Sequence, residues 1–545
     1  MSQNVEVQKT WSADDVRHLL GRVEFAAMPR RVEALSELTP SQAVQQLLAE
    51  AKSAPLPAAP AWVREPWVNT ERRYADSSPD EMRGKHGATN RRYREEIEDL
   101  RRWWFEQMLT SGTPIREVMT LFWHSHFASS IGKVLVSQAM YDQNARQRRH
   151  ALGNFRELLG EMTRDAAMMI YLDLEDSDRQ SPNENYAREL FELFALGIGN
   201  YSQGDIREAA RALTGWKLDA PPGTALPDRP TEPQSNRRFT RDGLVARLDP
   251  VCHDRGIKTL FGSTGPLGLD EVIELTVTHP ACGSFLAGKL IAHFAVPDPS
   301  GELQRAMAKR FVESNCEISP MLAVLLSSHA FYSGAARATL IKSPLHLMVG
   351  SCRMLQVEVE FTPALNRYLA AMGQELFNPP NVKGWPGGES WISSGTLALR
   401  YHLPDVILSA KSPPGMTPIG RDRGRPIPLP SDPQQRAAML RQIEQGDMTE
   451  MGMVGGGRAR GAKPAELRIN FSVSRFIEST FPAGIVHSSA EVASTVLERM
   501  LGRAPRQSLL AAAENAAGVD AGQDIGVAVT NVIRLTLSSP DYQLT

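Results

Sequence analysis

The sequence of 545 residues lacks long hydrophobic runs and an excess of either charge. A membrane-spanning helix needs about 20 consecutive apolar residues, so the absence of such a run argues against a membrane-embedded protein. The 60 lysines and arginines are balanced by 62 aspartates and glutamates, and the chain as a whole therefore lacks the positive field of a typical nucleic-acid-binding protein. We expect no membrane span and no nucleic-acid partner.

Cysteine is also scarce, and no secretory leader is visible. The four cysteines are far apart and form no Cys-x-x-Cys pair, which argues against a thiolate zinc site and against a disulfide framework. The first ten residues are polar and contain no basic segment followed by an apolar stretch, the pattern typical of a signal peptide. We therefore expect reduced thiols and a cytoplasmic location.

Apolar residues recur at helical spacing along most of the chain. This pattern predicts an all-α fold, a large bundle-like array of many helices joined by long irregular loops, with few or no strands. Proline and glycine accumulate after Leu403, which predicts a change in organisation there. We predict a main helical domain at residues 1–403, a partly disordered linker at 404–470, and a helical segment at 471–545 that packs back on the main domain.

The stretch from Ser181 to Gly197 has the signals of a complete helix. Ser181 is predicted as the N-cap, with Pro182 at the first helical position, Glu184 closing a capping box and Gly197 ending the helix. At about 100° per residue the apolar side chains share one face. The opposite face carries charged residues: Glu184, Arg188, Glu189 and Glu192.

A second helix follows, beginning at Ser202 with its own predicted capping box. Two helices joined by so short a connection form an αα-hairpin. This hairpin could set Glu189 and Glu192 opposite Arg207 and Arg211. Because Glu189 has no charged residue four positions away in its own helix, we expect it to contact one of those arginines or a ligand.

His124 and His126 lie in one predicted helix, and two histidines in three residues raise the question of a metal site. Their directions differ by about 200°, so an intact helix points them to opposite sides. Shared coordination of an ion would require the end of the helix to unwind. The alternative is that each is a core histidine with a hydrogen-bond partner.

The segment from Asp249 to Lys258 places His253 and Asp254 side by side in a predicted loop. Loops that hold such residues on a rigid scaffold often carry function. The alternative is structural, with Asp254 capping a turn and His253 simply exposed. The sequence leaves both readings open.

Prolines and glycines between Phe377 and Trp391 predict a rigid loop that presents Trp385 and Trp391. Trp385 could stack on a sugar or on another planar ligand. Alternatively, the loop is a plug that buries its own indole rings.

Eight short motifs within residues 14–403 carry a family resemblance. They are His18-Leu19-Leu20 with Arg22, Phe122 to Phe127, His150 to Phe155, Pro182 to Leu190, Ala210 to Trp216, His253-Asp254 with Gly256 and Lys258, Lys342-Ser343-Pro344, and Pro379 to Gly388. Together they resemble the bacterial family catalogued as domain of unknown function 1800. The resemblance implies a helical fold and no established activity. Members are often encoded beside a secreted, sulfatase-like family, which implies a partner protein, and this sequence differs from exported members in having no visible signal peptide.

Two hypotheses of function follow. The first is a hydrolase that uses carboxylates and histidines for acid–base chemistry or for binding a divalent metal of unspecified identity. The second is a non-catalytic helical scaffold or maturation partner of the sulfatase-like protein, in which the same groups form a buried charge network. For the hydrolase, the candidate catalytic residues are Glu189, Glu192, His253 and Asp254, the candidate ligand-binding residues are Arg188, Arg207, Arg211 and Trp385, and the candidate metal ligands are His124 and His126.

Overall fold

The computed structural model describes residues 7–8, 10–64, 79–219, 244–295, 301–409, 467–481, 488–519 and 523–545, with only the backbone of residues 64, 79–90 and 219. Most of the predicted linker at 404–470 lies outside these ranges. The described chain is mostly helical, which confirms the predicted fold class, and its strands are short and few. None of the helices in these ranges is both long enough and apolar enough to cross a membrane.

The helices follow one another closely along the chain. The first group is α1 Ala13–Val23, α2 Pro29–Ser36, α3 Pro40–Ser53, α4 Pro79–Thr110, α5 Pro114–His126, α6 Ile131–Val134, α7 Ser137–Arg149, α8 Phe155–Thr163, α9 Ala166–Tyr171, α10 Glu184–Glu189 and α11 Gln203–Ala212. The second group is α12 Leu269–Val277, α13 Pro280–Phe294, α14 Gly301–Glu313, α15 Ile318–Leu326, α16 His329–Tyr332, α17 Pro344–Met354, α18 Pro363–Ala371, α19 Ser394–Tyr401, α20 Leu403–Ser409, α21 Val473–Thr480, α22 Ser489–Leu501, α23 Gln507–Ala517 and α24 Ile525–Ser538. A π-helical turn, Leu190–Ala195, continues α10.

The described residues also form three small antiparallel sheets, each of two strands, which connect parts of this array. In the first sheet Trp216 pairs with Leu248, so the chain returns to the end of α11 after the segment outside the described ranges. The strands are β1 Trp216–Asp219 with β2 Val245–Leu248, β3 Lys258–Leu260 with β4 Ser263–Gly265, and β5 Glu358–Glu360 with β6 Arg468–Asn470.

Capping residues explain where several helices begin. The Ser12, Thr39 and Ser202 side chains each accept the backbone N–H three residues ahead, and the side chain at that position bonds back to the cap. Such reciprocal bonds satisfy two backbone donors that a helix leaves unpaired. The predicted capping box at Ser202 is therefore confirmed.

Buried apolar side chains form one continuous core that extends from α1 to α24. Trp104, Trp123 and Phe155 are fully buried within it. The C-terminal helices also contact the earlier part of the chain through polar bonds. The Arg400 Nη1 atom donates to the Gln543 side chain at 3.0 Å, and the Ser351 and Tyr542 hydroxyls are 2.9 Å apart. These contacts place residues 488–545 against the elements that precede residue 409.

Candidate functional site

The helix at the centre of the sequence motif begins later than predicted. Its N-cap is Asn183, whose side chain accepts the Asn185 N–H at 2.9 Å. The capping box predicted at Ser181 is wrong, because the Asp178 carboxylate takes the Ser181 N–H at 2.9 Å and holds that residue in a preceding turn. Gly197 ends the helix as predicted, with a φ of 80° that favours glycine.

The π-helical turn Leu190–Ala195 presents two backbone carbonyls to side chains from α5 and α13. The Phe194 oxygen is 2.9 Å from His126 Nε2, and the Leu193 oxygen accepts from Lys289 Nζ at 3.1 Å. Carbonyls in the last turn of a helix lack partners within the helix, and polar groups from elsewhere must satisfy them. Because a carbonyl can only accept, His126 carries its proton on Nε2, and its Nδ1 accepts from Lys289 at 3.1 Å.

His124 faces a different set of neighbours from the same helix. Its Nε2 accepts the Phe377 N–H at 3.2 Å, and its ring lies 5.1 Å from the Trp104 ring. Burial lowers the pKa of His124 to about 3 and also lowers the pKa of His126. The two rings thus point apart, as the helical angles predict. Within the described ranges no three or more His, Cys, Asp or Glu residues are grouped to hold a metal.

Trp385 belongs to the core rather than to an open surface. Only 8% of it is exposed, and its ring lies 5.6 Å from the His124 ring. Gly384 has a φ of 79°, and a Cβ at this position would overlap the Ser125 carbonyl oxygen. The loop therefore docks closely on α5, and Trp391 is also buried. This geometry agrees with the plug interpretation and leaves little of the Trp385 ring face for a ligand.

The charges of the αα-hairpin separate into two groups. In the first, Glu189 is half-buried beside Glu192, and Tyr201 donates to Glu192 at 3.4 Å. Burial and the charge of Glu192 raise the pKa of Glu189, while Lys383 and Arg188 oppose this shift. The positive charge from outside its own helix that acts on Glu189 is therefore that of Lys383, in the loop between Phe377 and Trp391.

The second group is centred on Arg211, which does not pair with Glu189 or Glu192. Its Nε donates to Asp254 at 2.8 Å, and its Nη1 donates to Glu208 at 3.0 Å. The bond from Arg211 lowers the pKa of Asp254. The predicted pairing of Glu189 with Arg207 or Arg211 is therefore wrong, and the alternative, contact with a ligand, stays a prediction. Arg207 is exposed, and Arg188 bonds Glu184 at 3.1 Å.

The His253 loop is joined to the end of α11 at Gly215. This glycine has a φ of 84°, and a Cβ here would lie 2.7 Å from the His253 nitrogen. The Thr214 hydroxyl accepts the Asp254 N–H at 2.8 Å, and the buried Lys258 ammonium donates to the Asp254 carbonyl oxygen at 2.5 Å. The Thr-Gly-Trp and His-Asp-x-Gly-x-Lys motifs are thus two halves of one local structure.

This arrangement fixes the orientation of the His253 ring. Its Nδ1 lies 2.9 Å from the Thr214 carbonyl oxygen, which can only accept, so Nδ1 carries a proton. In the neutral ring, Nε2 then holds the free lone pair. His253 lines an open cleft of about 570 Å³. The other residues that line the cleft are Arg179, Gln180, Pro250, Val251, Asp254 and Arg255.

The structure adds two arginines that the motifs did not indicate. The Arg179 N–H donates to the Cys252 carbonyl oxygen at 2.8 Å, which holds the segment before α10 against the His253 loop. Arg255 Nη2 donates to the Pro250 carbonyl oxygen at 3.2 Å. Arg255 follows the His-Asp pair directly and could have been chosen from sequence. Arg179 lies 74 positions before His253, and nothing in its own surroundings suggests this contact.

A family model described as "Protein of unknown function (DUF1800)" matches residues 18–544 of the chain. No curated protein and no solved structure matches the chain. The match covers all of the elements that form the cleft and the hairpin.

Proposed function

This protein belongs to the DUF1800 family, whose description names no activity, and we propose that it is a hydrolase with its catalytic centre in the His253 cleft. One observation carries the proposal. The Thr214 carbonyl holds a proton of His253 on Nδ1, so that in the neutral ring the free lone pair is on Nε2, and His253 lines an open cleft. A positioned base of this kind is the group needed to activate a water molecule.

The two arginines of the cleft suggest the class of substrate. Arg179 and Arg255 line the same space as His253, and Asp254 is already neutralised by Arg211. The cleft therefore favours a ligand with negative charge, which guanidinium groups bind well. We propose an anionic ester as substrate. His253 Nε2 takes a proton from the attacking water as its oxygen bonds to the central atom of the ester, the bond from that atom to the alcohol oxygen breaks, and the proton on Nε2 then passes to the leaving alkoxide.

The other predicted residues have distinct places in this proposal. Asp254 and Arg211 hold the loop and so act as positioning residues. Glu189 interacts with Lys383, and Glu192 accepts from Tyr201. Neither glutamate takes part in the proposed reaction. A metal-dependent form of the reaction predicts one more observation. The purified wild-type protein would contain a stoichiometric divalent metal, and the His253→Ala variant would lack it. Elemental analysis of both proteins measures this directly.

The test of the hydrolase is a panel of chromogenic esters, 4-nitrophenyl acetate, phosphate and sulfate, given to wild-type protein and to the His253→Gln variant. General-base catalysis contributes about 10² to 10⁴ in rate, so we expect the variant to lose activity by that factor. His329→Gln is the matched control, since His329 is exposed and outside the cleft. Equal rates for wild type and His253→Gln would overturn the assignment.

The arginines make the panel more informative. Arg255→Gln should raise KM for the phosphate and sulfate esters and leave the neutral acetate ester nearly unaffected, because the lost interaction is with the anion. A change of the same size for all three esters would mean that Arg255 supports the loop instead of binding the substrate.

A second candidate is a non-catalytic scaffold or maturation partner of the sulfatase-like protein. It is favoured by the saturation of the polar groups, since Asp254 pairs with Arg211 and both nitrogens of His126 are bonded. Such a partner is secreted, so the two chains would meet before export, in the cytoplasmic location that we also propose. Co-expression and co-purification of the two proteins tests this role. Complex formation without hydrolysis of any ester would favour it.

A further inference from the structure

We propose that a second cleft, between α1 and the C-terminal segment, binds a tetrahedral oxyanion, phosphate or sulfate, through Lys342. This cleft lies outside the hydrolase proposal, and none of its lining residues belongs to the His253 site. Arg17, His18 and Gly21 of α1 form one side, and Arg503 and Tyr542 form another. Arg337, Lys342 and Thr545 complete its polar lining.

The size of the cleft suits such a group. Its volume is about 70 Å³. One water needs roughly 10–15 Å³, so the space is large enough for several waters or for one phosphate or sulfate group. Phe25, Met354 and Leu544 supply an apolar wall, which strengthens electrostatic attraction within the cleft.

The charged side chains that line the cleft are all basic. The described lining residues include no aspartate or glutamate, and Thr545, the last residue of the sequence, lies among them. Three of the four cations have carboxylate partners behind the cleft, whereas no carboxylate of the described residues lies within ion-pair distance of Lys342. The three pairs are Arg17 with Asp14 at 2.6 Å, Arg337 with Asp15, and Arg503 with Asp541 at 3.2 Å.

Lys342 is held in place without a carboxylate partner among the described residues. Its backbone N–H donates to the Gln543 carbonyl oxygen at 2.9 Å, and its own carbonyl accepts from Arg400 at 2.9 Å. The ammonium lies 4.0 Å from the centre of the Tyr542 ring, which attracts a cation but carries no net charge. The position of the lysine is therefore fixed before any ligand arrives, which reduces the entropy lost on binding.

Electrostatic strain supports the geometric argument. Burial, Arg503 and Arg400 lower the pKa of Lys342 to about 7. A bound anion would reverse this effect, since an opposite charge at close range favours the protonated ammonium. The Lys-Ser-Pro motif thereby acquires a role beyond starting α17, for which Ser343 is the N-cap.

Isothermal titration of the full-length protein with inorganic phosphate and, separately, with inorganic sulfate tests the proposal. We expect a site for at least one of the two anions that depends on Lys342, and Lys342→Met should weaken binding at this site roughly ten- to a hundredfold, as expected for a lost charged hydrogen bond. Binding of the same anion in the His253 cleft should not change in Lys342→Met. Lys133→Met is the matched control, because Lys133 is an exposed lysine paired with Asp173 and should leave binding unchanged. Melting curves show whether each variant is folded.

The two arms separate the possible ligands. Phosphate binding alone, or sulfate binding alone, supports the site and identifies its preferred anion, provided that Lys342→Met loses it. Failure of wild-type protein to bind either anion at millimolar concentration would overturn the proposal, and so would equal binding by folded Lys342→Met protein. The ester assays do not involve Lys342, so failure of this site and failure of the hydrolase proposal can be told apart.

Discussion

Gly215 offers a direct test of how the His253 loop is attached to α11. In Gly215→Ala the new Cβ would lie 2.7 Å from the His253 nitrogen and 2.8 Å from the Asp249 carbonyl oxygen, and both are backbone atoms that cannot rotate away. The residue would also keep a φ of 84°, which costs an L-amino acid about 1–2 kcal/mol. Overpacking against rigid neighbours adds about 1–3 kcal/mol. We therefore expect Gly215→Ala to lower the free energy of unfolding by about 2–5 kcal/mol in total.

Gly262→Ala is a matched control. Gly262 has a φ of 81°, and an added Cβ there meets nothing within 4 Å, so only the conformational cost of about 1–2 kcal/mol applies. Urea unfolding followed by tryptophan fluorescence compares the two variants, and the difference between them isolates the contact with the His253 backbone. Equal midpoints for Gly215→Ala and Gly262→Ala would refute the proposed attachment of the loop.

Two further substitutions test the charges. The folded-state pKa of Glu189 is raised, so its ionised form destabilises the fold, and stability should fall as pH rises above the unfolded value. The melting temperature of Glu189→Gln should then equal or exceed that of the wild type near neutral pH, and the difference should become smaller in acid. A large fall in the melting temperature would instead show that Glu189 forms a structural ion pair. Glu117→Gln should lower the free energy of unfolding, measured with denaturant, by about 3–5 kcal/mol. The buried Arg148, whose Nε lies 2.8 Å from the Glu117 carboxylate, would lose its counter-charge. Its control, Glu184→Gln in a half-exposed pair, should cost less than about 1 kcal/mol.

Local chemistry made part of this structure predictable. The capping box at Ser202 depends on residues within one turn, and the opposite directions of His124 and His126 follow from the geometry of a single helix. Both predictions are confirmed because no distant contact competes with them. The helical fold class is confirmed for the same reason, since the apolar periodicity is repeated in segment after segment.

Predictions failed where a contact from outside the helix decides the outcome. The Ser181 cap was displaced by the Asp178 carboxylate, which uses the same N–H. In the π-helical turn after Glu189 the rotation per residue differs from the value of about 100° that assigns each side chain to a face of the helix. Arg211 pairs with Asp254, 43 positions away in sequence, because the close contact at Gly215 brings the two segments together. Such a pairing cannot be read from the spacing of charges within a hairpin.

The central claim is that His253 presents a free ring nitrogen to the cleft, and chemical modification measures this without knowledge of the substrate. Diethyl pyrocarbonate acylates accessible, unprotonated imidazole nitrogens, and peptide mass spectrometry locates the product. Near neutral pH, we expect rapid modification of His253 and of the exposed His329, and none of His124 or His126, whose buried rings bond the backbone. Modification of His329 with an unmodified His253 in the folded protein would contradict the assignment of His253 as the catalytic base.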